Sequence, residues 1–470
     1  MQASRLAELV VAGMGDGGRT KALASSLRSL IVDGRLLDGD RLPAERVLAE
    51  ALQMSRSTVT AAYDQLRVEG ILVGRQGAGT FVSVPAIEGG RPDEDPRLGE
   101  AAHFDLSVAV LPAPSLLAAA VSAAAESIVV HLASMGLQPA GMPELRTLVA
   151  SEYSRRGLLT TLDQILITSG ALHGWDLLLR AFARPGATVV TEQPTYPGVI
   201  DAALAHRVRL RPLPVDADGW HPEELDPART PVLAHVTFDG QNPTGLWADR
   251  STRNRVLSTF DSSTLVAVDE TIIDFPSSPA VGAETSPLAH NSTVVILGSA
   301  SKSFWAGLRV GWLRGPASMI RRLAALRAGQ DLAPPILNQL VVAELLRRRE
   351  EILPDRRDAI AGRRRALLDA IEQYCPNWTV VPPAGGLAAW IDLGGRSSTQ
   401  LAIEAREHGI RVTPGTRFSQ TGTHDGFLRL PYVLPIEHLE ESVRRLAAAS
   451  EKLPSARPRR HPNAATAWSA

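Results

Sequence analysis

Residues 298–312 read "GSASKSFWAGLRVGW", and the lysine in this stretch, Lys302, is one of three in a chain of 470 residues. The other two, Lys21 and Lys452, lie near the ends, so arginine makes up the remaining 46 of the 49 basic residues. Arginine serves surface charge, ion pairs and phosphate contacts as well as lysine or better. It does not form a Schiff base, because its guanidinium stays protonated, whereas a desolvated lysine amine is a usable nucleophile. Lys302 also stands three residues after the end of an apolar run, "TVVILGS". The end of a buried strand is where α/β proteins place their ligands.

Runs of the same kind recur upstream: "QILITSG", "TVVTEQP", "VLAHVTF" and "TLVAVDE", alternating with helical segments between residues 105 and 450. The alternation predicts an α/β domain, a mostly parallel sheet covered by helices. Polar residues stand where the runs end. "TSGALHGW" turns from strand into helix at Gly170 and Ala171, whose N–H groups suit a phosphate. Tyr196 lies in "EQPTYPG", Asn242 in "QNPTG", and Asp269 closes a strand. Arg429 in "FLRLPY" sits between apolar residues, where its charge needs a partner, either a ligand carboxylate or a neighbouring acid. Alone, each has an ordinary structural reading as a turn, a cap, a core aromatic or an internal ion pair.

Together they meet the needs of one cofactor. Pyridoxal phosphate takes a lysine for its aldehyde, an anion site for its phosphate and an acid opposite its ring nitrogen. It also gains from a flat side chain over the ring and a donor to the phenolic oxygen. Lys302 supplies the first, and Gly170, Ala171, Ser299, Ser301 and Arg309 the second. Asp269, Tyr196 and Asn242 supply the rest.

The order and spacing resemble the fold type I aminotransferases: "SG" at a helix start, "NPTG", a strand ending in Asp, then "SASK" with "GLRVGW". "AGMPELRTLVASEYSRRG" and "FLRL" fit the same pattern. The resemblance implies an aldimine on Lys302 and an amino-acid carboxylate on Arg429. It also implies a tyrosine two or three residues after the Asp, bonded to the phenolic oxygen. Here "VDETII" puts Thr271 and Ile272 in those places. Thr271 offers a hydroxyl that is shorter and far less acidic, so cofactor binding is expected to survive and efficient turnover to suffer.

Residues 85–104, "PAIEGGRPDEDPRLGEAAHF", crowd Pro, Gly and acidic residues without apolar periodicity and read as a linker. The smaller unit before it, residues 19–84, reads as three helices and a hairpin. "KALASSLRSLIVDG" carries Leu23, Leu27, Leu30 and Ile31 at helical spacing. "LPAERVLAEAL" starts a helix at Pro43, with Val47, Leu48 and Leu52 expected inward. In "MSRSTVTAAYDQLRVEG", Ser55 is the expected N-cap and Val59, Ala62, Tyr63 and Leu66 the buried stripe. "ILVGRQGAGTFV" forms two strands around a Gly-rich tip. This is a winged helix-turn-helix. Ser55, Arg56, Thr58 and the nearby Ser57 and Thr60 stand where such helices enter the major groove, with Arg46, Arg75 and Gly77 along the same edge. Total charge is silent, with ten basic residues against nine acidic in residues 1–84.

"GDRLPAERVLAEALQMSRSTVTAAYDQLRVEGILVGRQGAGTFV" resembles the winged helix of GntR regulators. In that family the arginines matching Arg46 and Arg56, and the glycine matching Gly77, contact DNA. A GntR-type winged helix joined to an aminotransferase-like domain is similar to the MocR subfamily of regulators. The resemblance implies a homodimer that binds a double-stranded DNA operator and senses an amine or amino acid. Two other readings stand beside it: a working aminotransferase with an accessory domain, and a sensor of pyridoxal phosphate itself.

Composition narrows the setting. The chain is 44% hydrophobic and 21% charged with formal net charge −1, which gives no global argument for nucleic acid or membrane. Cys375 is the only cysteine, so an intrachain disulfide and a cysteine-based metal cluster are excluded, and no metal site is expected. No apolar run is long enough to span a bilayer and no signal-peptide pattern opens the chain. A cytoplasmic protein is expected, with a disordered tail over 454–470.

Overall fold

The computed structural model describes residues 3–12, 19–32, 36, 40–68, 71–75, 79–82, 104–225, 230–283 and 293–453. The expected tail and all of the expected linker except Phe104 lie outside them. In the N-terminal domain four helices, α1 (Ala3–Ala12), α2 (Arg19–Val32), α3 (Glu45–Ala51) and α4 (Arg56–Val68), precede a hairpin of β1 (Leu72–Arg75) and β2 (Gly79–Val82). Val59, Ala62, Tyr63 and Leu66 are fully buried, as their spacing requires, together with Leu23, Leu27 and Leu48. Two features differ from the sequence reading. The helix α1 adds Leu6, Leu9 and Val10 to this core, and Val47, expected inward, is 43% exposed. On so short a helix the narrow buried stripe is filled by Leu48 and Leu52, one position round from Val47.

The large domain opens with β3 (Phe104–Leu106), followed by α5 (Leu117–Ser127) and α6 (Pro143–Arg155). Its central sheet contains β4 (Ile165–Thr168), β5 (Thr188–Gln193), β6 (Arg209–Asp216), β7 (Gly219–Trp220), β8 (Leu233–Val236), β9 (Leu265–Asp269), β10 (Val294–Ser299) and β11 (Gly311–Arg314). Their spatial order is β4-β11-β10-β9-β8-β5-β6-β7. The strands β10, β9, β8, β5 and β6 run parallel, while β11 and β7 are antiparallel to their neighbours. The mostly parallel sheet is therefore a mixed one.

Both faces of this sheet are buried, which is why its strands read as continuous apolar runs. Side chains nonetheless alternate between two cores. Val294 and Ile296 of β10 join Ile165, Ile167, Val266 and Val268 on one face, and Val295 and Leu297 join Leu166 and Ala267 on the other. The helices α7 (Ala171–Phe182) and α8 (Pro197–Ala205) follow β4 and β5. A second sheet, ordered β12 (Thr379–Val380), β13 (Ala388–Asp392), β15 (Phe427–Pro431), β14 (Ile410–Pro414) and β3, packs on the helices Arg349–Tyr374 and Ile436–Glu451. No helix among the described residues is long and apolar enough to cross a membrane.

Candidate functional site

Pairing in the central sheet brings three chain segments level with one another. Gly311 of β11 pairs with Thr168 of β4 on one side and with Ser299 of β10 on the other. The helix α7 starts beside them with Gly170 as its N-cap, at φ 107°, a conformation open mainly to glycine. A Cβ on Gly311 would lie 2.6 Å from the Gly170 backbone, and one on Gly170 would lie 3.2 Å from Arg309 Nη2. Side chains are thus excluded where Arg309 and the first N–H groups of α7 converge, as an anion site requires. Arg309 Nη2 donates to Ser169 O at 2.8 Å. Ser299 Oγ caps the next turn by accepting from Ser301 N at 3.1 Å, and both serines are buried.

Lys302 lies one turn further on, in the helix Ala300–Ser303. Burial lowers its pKa to about 8, and the nearby Arg429 guanidinium adds to the effect while Asp269 opposes it. Its Nζ donates to Ala109 O at 2.7 Å. Ala109, Asn242, Ile272 and Lys302 line one pocket, closed by Gly240 and Gly386. The adjacent Ser303 donates to Asp274 Oδ2 at 2.5 Å, and Asp274 also takes Arg349, which fixes the lysine-bearing turn to the helix behind it.

Asp269 ends β9, where Leu297 of β10 is its pairing partner. It accepts from Thr271 N at 2.7 Å, and His235 Nε2 on the neighbouring β8 lies 3.7 Å away. Burial lowers the His235 pKa, so the ring is neutral at pH 7, and it packs edge-on against Trp175. Thr271 Oγ1 is buried without a partner, yet Ile272 is the residue that lines the pocket with Lys302. An apolar side chain thus lines the same pocket as the lysine.

Arg429 is 4% exposed, and burial lowers its pKa to about 10. Its guanidinium sits 5.0 Å above the Phe418 ring and donates through Nη2 to Ser107 O, while Nε has no partner. Tyr196, at the N-cap position of α8, is 43% exposed. Glu192 was not singled out from sequence. This buried carboxylate accepts from Trp220 Nε1, Thr237 N and Gln241 Nε2 at 2.5, 2.9 and 3.2 Å, fixing the loop that carries Asn242. A histidine inside the apolar run "LAHV" and an acid inside "TVVTEQP" were the only signals for His235 and Glu192.

In the N-terminal domain, Ser55 Oγ accepts from Thr58 N at 3.1 Å and bonds the Thr58 hydroxyl at 2.7 Å, so it caps α4. Arg46 and Arg56 are exposed. Thr60 Oγ1 is occupied by Glu45 Oε2 at 2.8 Å, which turns that hydroxyl toward α3. Arg75 ends β1, and Gly77 lies outside the described residues.

The large domain is thus built like an aminotransferase, and the aminotransferase class I and II family matches residues 110–446 while the gntR family of bacterial regulatory proteins matches residues 19–82. The chain belongs to the aminotransferase class I and II family and, with its GntR domain, is a DNA-binding regulator of the MocR type. It is 27% identical to the HTH-type transcriptional regulator YisV of Bacillus subtilis, over 91% of this chain and 95% of YisV. It is also 27% identical to the HTH-type transcriptional regulator TauR of Rhodobacter capsulatus, over 93% and 97% of the two chains. Among solved structures it is similar to LysN, the α-aminoadipate aminotransferase of Thermus thermophilus complexed with N-(5'-phosphopyridoxyl)-L-leucine. There the TM-score is 0.68 at 28% identity, over 74% of this chain and 92% of LysN. The fold implies pyridoxal phosphate. The residues present fit it: the cradle free of side chains beside Arg309, the buried amine, and the unpartnered Thr271 Oγ1 and Arg429 Nε.

Proposed function

We propose that the chain is a cytoplasmic, homodimeric transcriptional regulator whose large domain holds pyridoxal phosphate on Lys302 and senses a primary amine or amino acid. The bound cofactor supplies an aldehyde carbon that amines capture. Gly170, Ala171, Ser299, Ser301 and Arg309 hold its phosphate, Asp269 keeps a proton on its ring nitrogen, and Tyr196 covers the ring. Asn242 and Thr271 serve the phenolic side, and Arg429 binds an incoming carboxylate. Arg46, Ser55, Arg56, Thr58, Arg75 and Gly77 form the DNA-facing edge. The observation that carries the reading is a half-buried lysine lining a pocket with Asn242, close to a fully buried arginine and following directly on the glycine-lined turn beside Arg309. Such a pair is costly to bury unless a ligand uses it.

Sensing is favoured over turnover by the residues after Asp269: Thr271 and Ile272 stand in the places where a phenol would tune proton transfer. Protein reconstituted with pyridoxal phosphate is expected to absorb in the visible, and Lys302→Ala to lose that band with its far-ultraviolet circular dichroism unchanged. An amino acid should shift the band with little keto-acid product. Wild-type protein without a visible band would refute the cofactor assignment, and turnover at about 1–1000 per second, ordinary for enzymes, would replace sensing with catalysis.

A further inference from the structure

Lys302, which lines the pocket, and the nearby buried Arg429 both hold backbone of the segment that leads into the large domain. Arg429 Nη2 donates to Ser107 O, and Lys302 Nζ donates to Ala109 O at 2.7 Å. Thr413 Oγ1 reaches the same Ser107 O at 3.1 Å. Ser107 directly follows β3, which among the described residues is an edge strand paired with β14, and β3 is the first described element after the connection from the winged helix. The turn itself is tied by Asp105 Oδ1, which accepts from Ser107 N at 2.8 Å and from Ser107 Oγ at 2.5 Å. Further along, Arg356 donates through both Nη atoms to Pro112 O at 3.1 Å. A cavity of about 240 Å³ lies between residues 111–116 and Ile352, Asp355 and Arg356 of the long helix, leaving this stretch room to shift.

A carboxylate is a better acceptor for a guanidinium than a neutral carbonyl, by roughly a factor of two in bond strength. A ligand carboxylate that binds side-on through the unpartnered Nε also takes Nη2, and there it competes with Ser107 O. We propose that residues 107–109 are a strap through which pocket occupancy reaches the connection to the winged helix: a carboxylate on Arg429 displaces Ser107 O and loosens the segment. The proposal rests on the reading of this pocket as a sensing site, and it deepens that reading by naming the carboxylate as the releasing group.

The test is amide hydrogen exchange over residues 104–111 of the full-length, cofactor-reconstituted protein. Acetate, small enough to reach Arg429 whatever else the pocket selects, is compared with chloride at equal ionic strength. Thr413→Val, which removes one bond to Ser107 O and leaves the arginine in place, is measured without acetate. Both are expected to raise exchange in this segment about tenfold, as loss of one holding bond does, and Arg429→Gln should abolish the acetate effect. Exchange unchanged by acetate and by Thr413→Val, in protein that carries the visible band, overturns the strap and leaves the cofactor assignment standing. Raised exchange in protein lacking the band supports the strap and removes the cofactor assignment.

Discussion

At the scale of the residue, the proposed chemistry rests most on Lys302. Its lowered pKa means that roughly 10% of the amine is unprotonated at pH 7, several hundred times more than at the ordinary value of 10.5. The rate at which the protein takes up pyridoxal phosphate should therefore rise with pH and level off just above 8, followed by the growth of visible absorbance. A rise that continues to pH 10 would contradict the lowered value. The same shift has a sign for stability. Between about pH 8 and 10.5 the folded chain binds fewer protons than the unfolded one, so cofactor-free protein gains stability as pH rises through that window. Lys302→Met should remove about 2 kcal/mol of that rise, measured by urea unfolding at both ends. Ile272 gives a second residue-scale prediction. Ile272→Tyr places a phenol in the pocket and should move the visible band, at a cost of about 1–3 kcal/mol from overpacking. Thr271 and Ile272 both follow Asp269 closely, and spacing alone does not tell which of them lines the pocket with Lys302.

At the scale of the element, the helices α3 and α4 were legible because their apolar stripes and the Ser55 cap are local properties. The inward expectation for Val47 failed because seven helical residues have room for little more than one buried row. The helix α1 went unread, although it packs Leu6, Leu9 and Val10 into the same core. A ten-residue apolar stretch near a chain end has no partner visible in sequence. Glu45 was equally silent, yet it accepts from Thr60 at 2.8 Å and from Arg67 at 3.3 Å, joining α3 to α4. Glu45→Ala should lower the stability of the N-terminal domain by about 1–2 kcal/mol, read as its thermal midpoint, with visible absorbance unaltered. Arg46 and Arg56 stand exposed on the same two helices. Replacing both with alanine should weaken DNA binding and reduce the salt dependence by about one unit of slope for each phosphate no longer neutralised. Unaltered affinity in the double variant would take them out of the DNA interface.

At the scale of the whole molecule, the alternation of runs and helices was enough to read the architecture, and the strand ends enough to collect Lys302, Asp269 and Gly170. The antiparallel β11 escaped, because "GWLR" directly after the lysine motif is too short to declare its direction. The strap escaped for a deeper reason. Ser107 and Ala109 act through their carbonyl groups, and a backbone acceptor leaves no trace in residue type. What joins the two domains functionally is therefore the part least visible in sequence, and the part that most needs measurement. If an aminotransferase-like pocket governs a DNA-binding domain, filling the pocket must change DNA affinity. The decisive experiment is a binding titration of the reconstituted protein with duplex DNA from upstream of its own gene, with and without a panel of amino acids, alongside Lys302→Ala. Wild-type affinity is expected to change with at least one amino acid that also shifts the visible band, and Lys302→Ala to bind the same DNA without responding. Wild-type affinity unmoved by every amino acid that shifts the band would contradict the coupling of pocket to DNA.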